Sequence, residues 1–383
     1  MSKNFSIFLL GTYMPQKCGI AAFTTDLYYA LKKNIKKANH IGVIAVHNNV
    51  EAQSDFPKEV EVKIQEQEKN DYRKAAKHIN SLSNTYVLLQ HEFGIFGGAD
   101  GEYILSFIEE LKCPLISTLH TVMGNPQAKQ KEILQKICFC SKKVVVMSQK
   151  AVDLLVSIYQ IKRKKIIFIP HGAYNCQYLT AKLQKILLGF WRKKILLTTG
   201  LINPNKGIEV MLRALKSIVK KVPNALYIIL GTTHPKVKLR QGESYRLFLM
   251  DYVKKYNLQK NVLFIDEFCD FQELKKFLAM SDIYVAPYRA REQIVSGTLA
   301  YALVSGKAIV STASWYAEEV LSNDRGLLVP FGNSKVLAKA VLKLFLDKKK
   351  RKTIEKKAYQ FGKRMKWEKV GKMYVDLIKK NVF

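Results

Sequence analysis

The sequence predicts an α/β protein of two doubly wound domains, each a parallel sheet with helices on both faces. Three observations lead there. Short apolar runs alternate with amphipathic stretches, the pattern of strand–helix–strand units and so of a parallel sheet. The alternation pauses around residues 174–192 and then begins again. A length of 383 residues exceeds what one ordinary core organises.

Phe5–Leu10 is the first apolar strand. The opening MSKNFSIFLLGTY has the short apolar run of a signal segment but no small-residue cleavage site, and the same run makes a buried strand. Gly11–Gly19 (GTYMPQKCG) is a loop and Ile20–Lys33 an amphipathic helix. Later strands are Ile41–Val46, Val60–Ile64, Tyr86–Gln90, Pro114–Leu119 and Lys143–Met147. Helices fall around Asp71–Leu82, Glu102–Leu111, Lys129–Cys138 and Ala151–Tyr159. Ile166–Ile169 is a strand that Pro170 ends, and Tyr174–Arg192 reads as a connection.

The second alternation runs strand Lys194–Thr199, helix Gly207–Lys220, strand Leu226–Gly231, helix Ser244–Tyr256, strand Val262–Ile265 and helix Phe271–Met280. Ile283–Ala286 is a strand stopped by Pro287. Arg289, Arg291, Glu292 and Gln293 are too polar for a buried element and form an exposed loop. Ser296, Gly297 and Thr298 open a helix that Gly306 closes, and Lys307–Thr312 is the next strand. A helix and a short strand lead on to Phe331. From Ser334 the chain is helical, with Lys348–Lys352 (KKKRK) between two helices. The last helix, near Trp367–Lys379, has one apolar face made by Trp367, Val370, Met373, Tyr374 and Leu377.

The net charge of +32 makes a surface that attracts phosphates, whether of nucleotides, nucleic acid or anionic lipid. Much of the excess is lysine on polar helix faces, which plain solvation also explains. No segment has the roughly 20 continuous apolar residues of a transmembrane helix. The six cysteines form no C-x-x-C pair, so reduced thiols of a cytoplasmic protein are expected rather than a zinc site. No G-x-G-x-x-G follows the first strand, and Gly306–Lys307 lacks the rest of a P-loop. No nucleic-acid module is present, so no nucleic-acid partner is expected.

Four pieces carry chemistry. Ser296–Thr298 is a helix start with free N–H donors and partial positive charge, suited to an anion. Gly297 lets another molecule approach the backbone. In Gly200–Gly207 (GLINPNKG), Asn203 begins a turn and Lys206 stands just before a helix, where it can reach a diphosphate lying over the two helix starts. His120, in STLHT, ends a buried strand, where sites gather in such sheets. In Gln90–Gly98 (QHEFGIFGG), Glu92 can accept hydrogen bonds from acceptor hydroxyls or can serve a turn. His171 and Asn175, in the turn after Pro170, are cleft-lining candidates and as readily turn residues, and His234, after Gly231 at a further strand end, can touch a base or phosphate.

Together these pieces resemble the nucleotide-sugar-dependent glycosyltransferases of family four, also called group one. The resemblance covers nearly the whole chain and is strongest in the second half. The family's E-x-F-G-x-x-x-x-E-A-x-A-x-G-x-P-V, anchored on Gly306, places its two glutamates on Gln293 and Tyr301, within QIVSGTLAYA. Its K-G falls on Lys206–Gly207, while the arginine of its G-R-L falls on Leu201. Its T-x-H puts the histidine that contacts the transferred sugar on His120, its first-loop glycine falls on Gly19, and its I-P-N-G turn resembles Ile169–Gly172.

The resemblance implies a GT-B fold, two Rossmann-like domains with parallel sheets facing a central cleft. Residues 1–172 would bind the acceptor, 173–360 the nucleotide-sugar, and 361–383 would cross back to the first domain. It implies a retaining hexosyltransferase with His120 and Lys206 catalytic. Gly19, Asn203, Lys206, Gln293, Ser296, Gly297, Thr298 and Tyr301 would hold a UDP- or GDP-linked donor, and Glu92 the acceptor. The acceptor would be a saccharide or lipid-linked glycan in cell-surface polysaccharide or glycoconjugate synthesis. No metal and no cofactor are expected, and an anionic membrane surface at the inner face of the cell membrane is a further partner. The alternatives are another GT-B enzyme, an epimerase or phosphorylase, or a non-catalytic binder of anionic polymer or membrane.

Overall fold

A computed structural model of the chain describes residues 5–35, 40–48, 55–176 and 180–382. The chain divides into two compact units, one of residues 1–172 with 367–383 and one of residues 173–366.

The first unit runs β1 (Ser6–Gly11), α1 (Gly19–Asn34), β2 (His40–His47), β3 (Val60–Gln65), α2 (Lys69–Asn80), β4 (Thr85–His91), α3 (Ile104–Glu110), β5 (Leu115–Leu119), α4 (Ala128–Cys140), β6 (Lys143–Val146), α5 (Gln149–Ser157) and β7 (Ile166–Phe168). Its seven strands lie in the order β3-β2-β1-β4-β5-β6-β7. Every pairing is parallel, with Ser6 of β1 level with His40 of β2 and Thr85 of β4. The apolar opening run Ile7–Leu10 is thus a fully buried central strand.

The second unit begins with α6 (Ala181–Leu187), then β8 (Lys194–Thr199), α7 (Ile208–Lys221), β9 (Ala225–Leu230), α8 (Pro235–Gln241), α9 (Ser244–Lys255), β10 (Val262–Ile265) and α10 (Phe271–Met280). It continues with β11 (Ile283–Ala286), α11 (Gly297–Val304), β12 (Ala308–Thr312), α12 (Trp315–Leu321), β13 (Leu327–Val329), α13 (Ser334–Leu346) and α14 (Lys348–Gly362). Six parallel strands lie in the order β10-β9-β8-β11-β12-β13. Side chains alternate between two cores. Leu196, Val285 and Val310 face the layer of α7 and α13, and Leu197, Tyr284 and Ile309 face that of α11 and α12. The final helix, α15 (Trp367–Val382), packs on α1 in the first unit. Gly371 allows this, since a Cβ there would lie 2.8 Å from the Ala30 carbonyl oxygen.

In each sheet the strand order reverses once, between β1 and β4 and between β8 and β11. Such a switch point leaves a crevice at the carboxyl ends of the strands, because the flanking connections turn away from each other. The loops after β1, β4, β8 and β11 are among those flagged from sequence, together with the loop after β5 that carries His120.

Three local expectations are corrected. The connection at 174–192 contains α6. The KKKRK run lies within α14, not between helices, because Asp347 alone forms the junction: its carboxylate caps α14 by accepting from Lys350 N at 2.8 Å. On α15, Trp367, Val370, Tyr374 and Leu377 are buried, but Met373 is 37% exposed and lies off the apolar face.

Candidate functional site

In the second unit the loop after β8 is shaped by its own polar groups. Asn203 Oδ1 accepts from Asn205 N at 3.0 Å and its Nδ2 donates to the Leu201 carbonyl at 3.1 Å, fixing a short 3₁₀ turn over Pro204–Lys206. Both ends of the Asn203 amide are therefore engaged inside the loop. Gly207 follows with φ +62°, and a Cβ there would stand 2.0 Å from the Pro287 carbonyl oxygen. Arg289 N donates to the Asn205 carbonyl at 2.9 Å. These contacts bind the loop after β8 to the loop after β11.

That tie brings Lys206 to the start of α11. A Cβ on Gly200 would lie 3.1 Å from Lys206 Nζ and 3.3 Å from Thr298 Cγ2, so both side chains gather over this glycine. Ser296 caps the helix, its Oγ accepting from Leu299 N at 3.3 Å. Tyr288 joins the pieces. Its hydroxyl lies 3.1 Å from Ser296 Oγ and 2.8 Å from Thr298 Oγ1, and Lys206 Nζ sits 5.0 Å from its ring centroid. Burial pushes the Tyr288 phenol up, but the Lys206 cation and the two hydroxyls outweigh it and hold it below its ordinary value. Sequence reasoning missed Tyr288, although it directly follows the Pro287 that ends β11. His234 begins α8 nearby, its ring accepting from Lys236 N at 3.2 Å. Partial burial, then Lys236 and Lys206, keep its pKa below the ordinary histidine value.

Gln293 is half-buried at the end of the loop, and its carbonyl accepts from Tyr316 N at 2.9 Å. Tyr301 is half-buried on α11, with its ring 5.7 Å from that of Phe271, which in turn lies 4.6 Å from Tyr174. Glu292 is exposed on the same loop. Arg289 pairs with the buried Glu209 at 3.6 Å.

In the first unit, Gly19 opens α1 with Cys18 as cap, the sulfur accepting from Ala21 N at 3.2 Å. A Cβ on Gly19 would meet nothing within 4 Å among the described residues, so no described neighbour demands glycine there. His120 follows β5 and is 5% exposed. Its Nε2 lies 3.1 Å from Gln90 Oε1, and its ring stands edge-on to Phe23 at 4.7 Å. Gln90, a second residue missed from sequence, orients the imidazole from the end of β4. Burial lowers the His120 pKa to about 3, with smaller contributions from His171 and His91. The ring is therefore neutral, an uncharged hydrogen-bonding group. His171 packs against Phe23 and Trp367, and its Nδ1 lies 2.6 Å from the Gly172 carbonyl. Glu92 caps the turn Phe93–Ile95. One oxygen accepts from Phe93 N at 3.1 Å, the other from the Thr121 hydroxyl at 2.7 Å, and burial raises its pKa. A carboxylate has about four lone-pair sites, so two acceptor positions remain beyond these contacts.

Comparison with known proteins places the second unit. Residues 182–361 match the family model described as glycosyl transferases group 1. The capsular polysaccharide biosynthesis glycosyltransferase CapM of Staphylococcus aureus is 22% identical over 262 residues, covering 65% of this chain and 66% of that protein. The crystal structure of a glycosyltransferase from Rickettsia africae superposes with a TM-score of 0.77 at 18% identity, over 99% of each chain. Anabaena Alr3699/HepE in complex with UDP-glucose superposes with a TM-score of 0.76 at 15% identity, over 98% of this chain and 100% of that one. At these identities the superpositions establish the fold, the GT-B type.

Proposed function

We propose, from the premise that residues 182–361 form a glycosyl transferases group 1 domain, that this chain moves a hexose from a nucleotide diphosphate-sugar to a saccharide or lipid-linked acceptor with retention of configuration. One observation carries the reading: Lys206 and the start of α11 meet over Gly200 at the switch point of the second sheet. A cation and a helix start with free N–H groups on one spot suit a diphosphate. As the bond between the sugar carbon and the diphosphate oxygen breaks, negative charge grows on the β-phosphate. Donors already in place for that charge stabilise the transition state with little reorganisation.

The acceptor hydroxyl attacks from the face the leaving group departs from, and its proton passes to the departing phosphate oxygen. No protein nucleophile takes part. The neutral His120, held by Gln90, hydrogen-bonds the transferred sugar, and Glu92 serves the acceptor. Gln293 and Tyr301 stand where the family has glutamates; Tyr301 takes the place of the one that holds the ribose, which is therefore held by a single hydrogen bond or by stacking, while Gln293 contacts the donor. Its complex with UDP-glucose makes the Anabaena protein a precedent for a UDP-linked donor, with GDP-linked sugars the alternative. The name of the staphylococcal relative supports a role in surface polysaccharide synthesis, and the net charge of +32 suits work at the inner face of an anionic membrane.

No resident cofactor is required, and because the sequence has no D-x-D cluster at a strand end, EDTA is expected to leave turnover unchanged. Incubation with a panel of UDP-, GDP- and ADP-sugars plus lipid-linked and free saccharide acceptors, with detection of released nucleotide, tests the reading. Release from one donor that depends on acceptor is expected. No release from any donor, with nucleotide binding also absent by calorimetry, overturns it.

A further inference from the structure

Helix α6 is built inside out. Its polar residues Gln184 and Lys185 point into the second unit, where Gln184 is 7% exposed and Lys185 Nζ lies 2.6 Å from Asp282 Oδ2 and 3.1 Å from the Lys193 carbonyl. Its apolar residues point out. Leu183, Ile186, Leu187 and, just beyond the helix, Trp191 are 50, 51, 68 and 60% exposed. Spacings of three and four place the three aliphatic side chains on one stripe. The helix is not loose. It packs on α10, and Leu188 and Phe190 seal its far end against the core. A firmly seated helix that spends its polar groups inward and four large apolar groups outward presents a docking face.

Charge selects the occupant. Lys182 and Arg192 flank the stripe, both exposed, with Arg192 over the Trp191 ring at 4.2 Å. Between Asp153 and Glu209 the sequence has no Asp or Glu. A second copy carrying +32 would be repelled. Tryptophan and leucine at the level of lysine and arginine are what the interface of an anionic bilayer accepts, the rings among acyl chains and the cations among phosphates. We propose that the outer face of α6 with Trp191 docks the protein on anionic lipid. This gives the membrane contact suggested above a location, but it does not depend on sugar transfer.

Co-sedimentation needs no donor and no turnover, so it fails or succeeds separately from the glycosyltransferase reading. The vesicles are phosphatidylcholine alone and phosphatidylcholine with phosphatidylglycerol at about two to one. The full chain should sediment with the mixed vesicles and release as salt rises. Leu187→Gln/Trp191→Gln keeps the charge and should lower partitioning at least about 10-fold. Lys182→Gln/Arg192→Gln should flatten the salt dependence. All four positions are exposed, and unchanged thermal melts are expected for both variants. A wild-type chain that stays in the supernatant overturns the proposal. So does a Leu187→Gln/Trp191→Gln variant that sediments like wild type, or a wild-type dimer in gel filtration that this variant dissolves, which would assign the face to a second copy.

Discussion

Among the described residues Lys206 is held by geometry, not by an ion pair: its Nζ has the Thr199 carbonyl at 3.5 Å and the Tyr288 ring at 5.0 Å. Neither neighbour neutralises it, which leaves the charge available to a phosphate. Lys206→Ala should therefore lower sugar transfer by at least about 100-fold, the scale of removing one transition-state donor. The loop itself is fastened by backbone bonds, so circular dichroism and melting should stay as in wild type. Near wild-type turnover would sink the role. Tyr301 poses a different question, since its ring stacks on Phe271. If its hydroxyl holds the ribose, Tyr301→Phe raises the donor KM several-fold, about 1 kcal/mol for one neutral hydrogen bond, with the melting temperature little changed. An unchanged KM with a lower melting temperature would make it a packing residue.

At the scale of elements, the site depends on two loops approaching within contact distance. Gly207 permits this twice over, through its positive φ and through the 2.0 Å that a Cβ would leave to the Pro287 carbonyl. Gly189 has a similar φ, +76°, but nothing among the described residues within 4 Å of its Cβ position. The pair separates backbone strain from collision. Gly189→Ala should cost only the left-handed penalty, about 1 kcal/mol. Gly207→Ala should cost at least about 2 kcal/mol more and lower turnover together with stability, because Lys206 moves with the loop. Denaturant melts of both variants check this, and equal costs would mean that the loops are not closely packed in solution.

The whole molecule carries a pH signature in its first unit. Burial lowers the pKa of His91 to about 3, His120 to about 3 and His171 to about 4. In the unfolded chain these rings titrate near 6.5. The sign follows: above about pH 6.5 neither state is protonated and the rings cost nothing. Below it the unfolded chain takes up protons that the folded one refuses, and stability falls by up to about 1.4 kcal/mol per pH unit for each ring. Urea melts between about pH 7 and 5 should show this slope, before most carboxylates titrate. Neither ring nitrogen of His91 has a hydrogen-bond partner among the described residues. His91→Leu should thus make the slope shallower by about 1.4 kcal/mol per pH unit. An unchanged slope would refute its being buried and neutral.

Sequence alone determined the strands, and with them the fold class. Parallel strands covered on both faces read as unbroken apolar runs, and Lys194–Thr199 and Ile283–Ala286 are found at those very limits. It also placed Lys206, Ser296 and His120 at strand ends, because ligand crevices in such sheets form only there. What periodicity could not show was α6, whose apolar residues face solvent, and the KKKRK turn of α14, whose lysines carry no apolar period. Tyr288 and Gln90 were hidden for another reason. Their importance lies in partners distant in the chain: Tyr288 reaches Lys206 because β11 pairs with β8, and Gln90 reaches His120 because β4 pairs with β5. Local pattern records which face of an element is buried. Which elements lie side by side is decided by non-local packing in the folded state, and only there do the loops after β8 and β11 become one site.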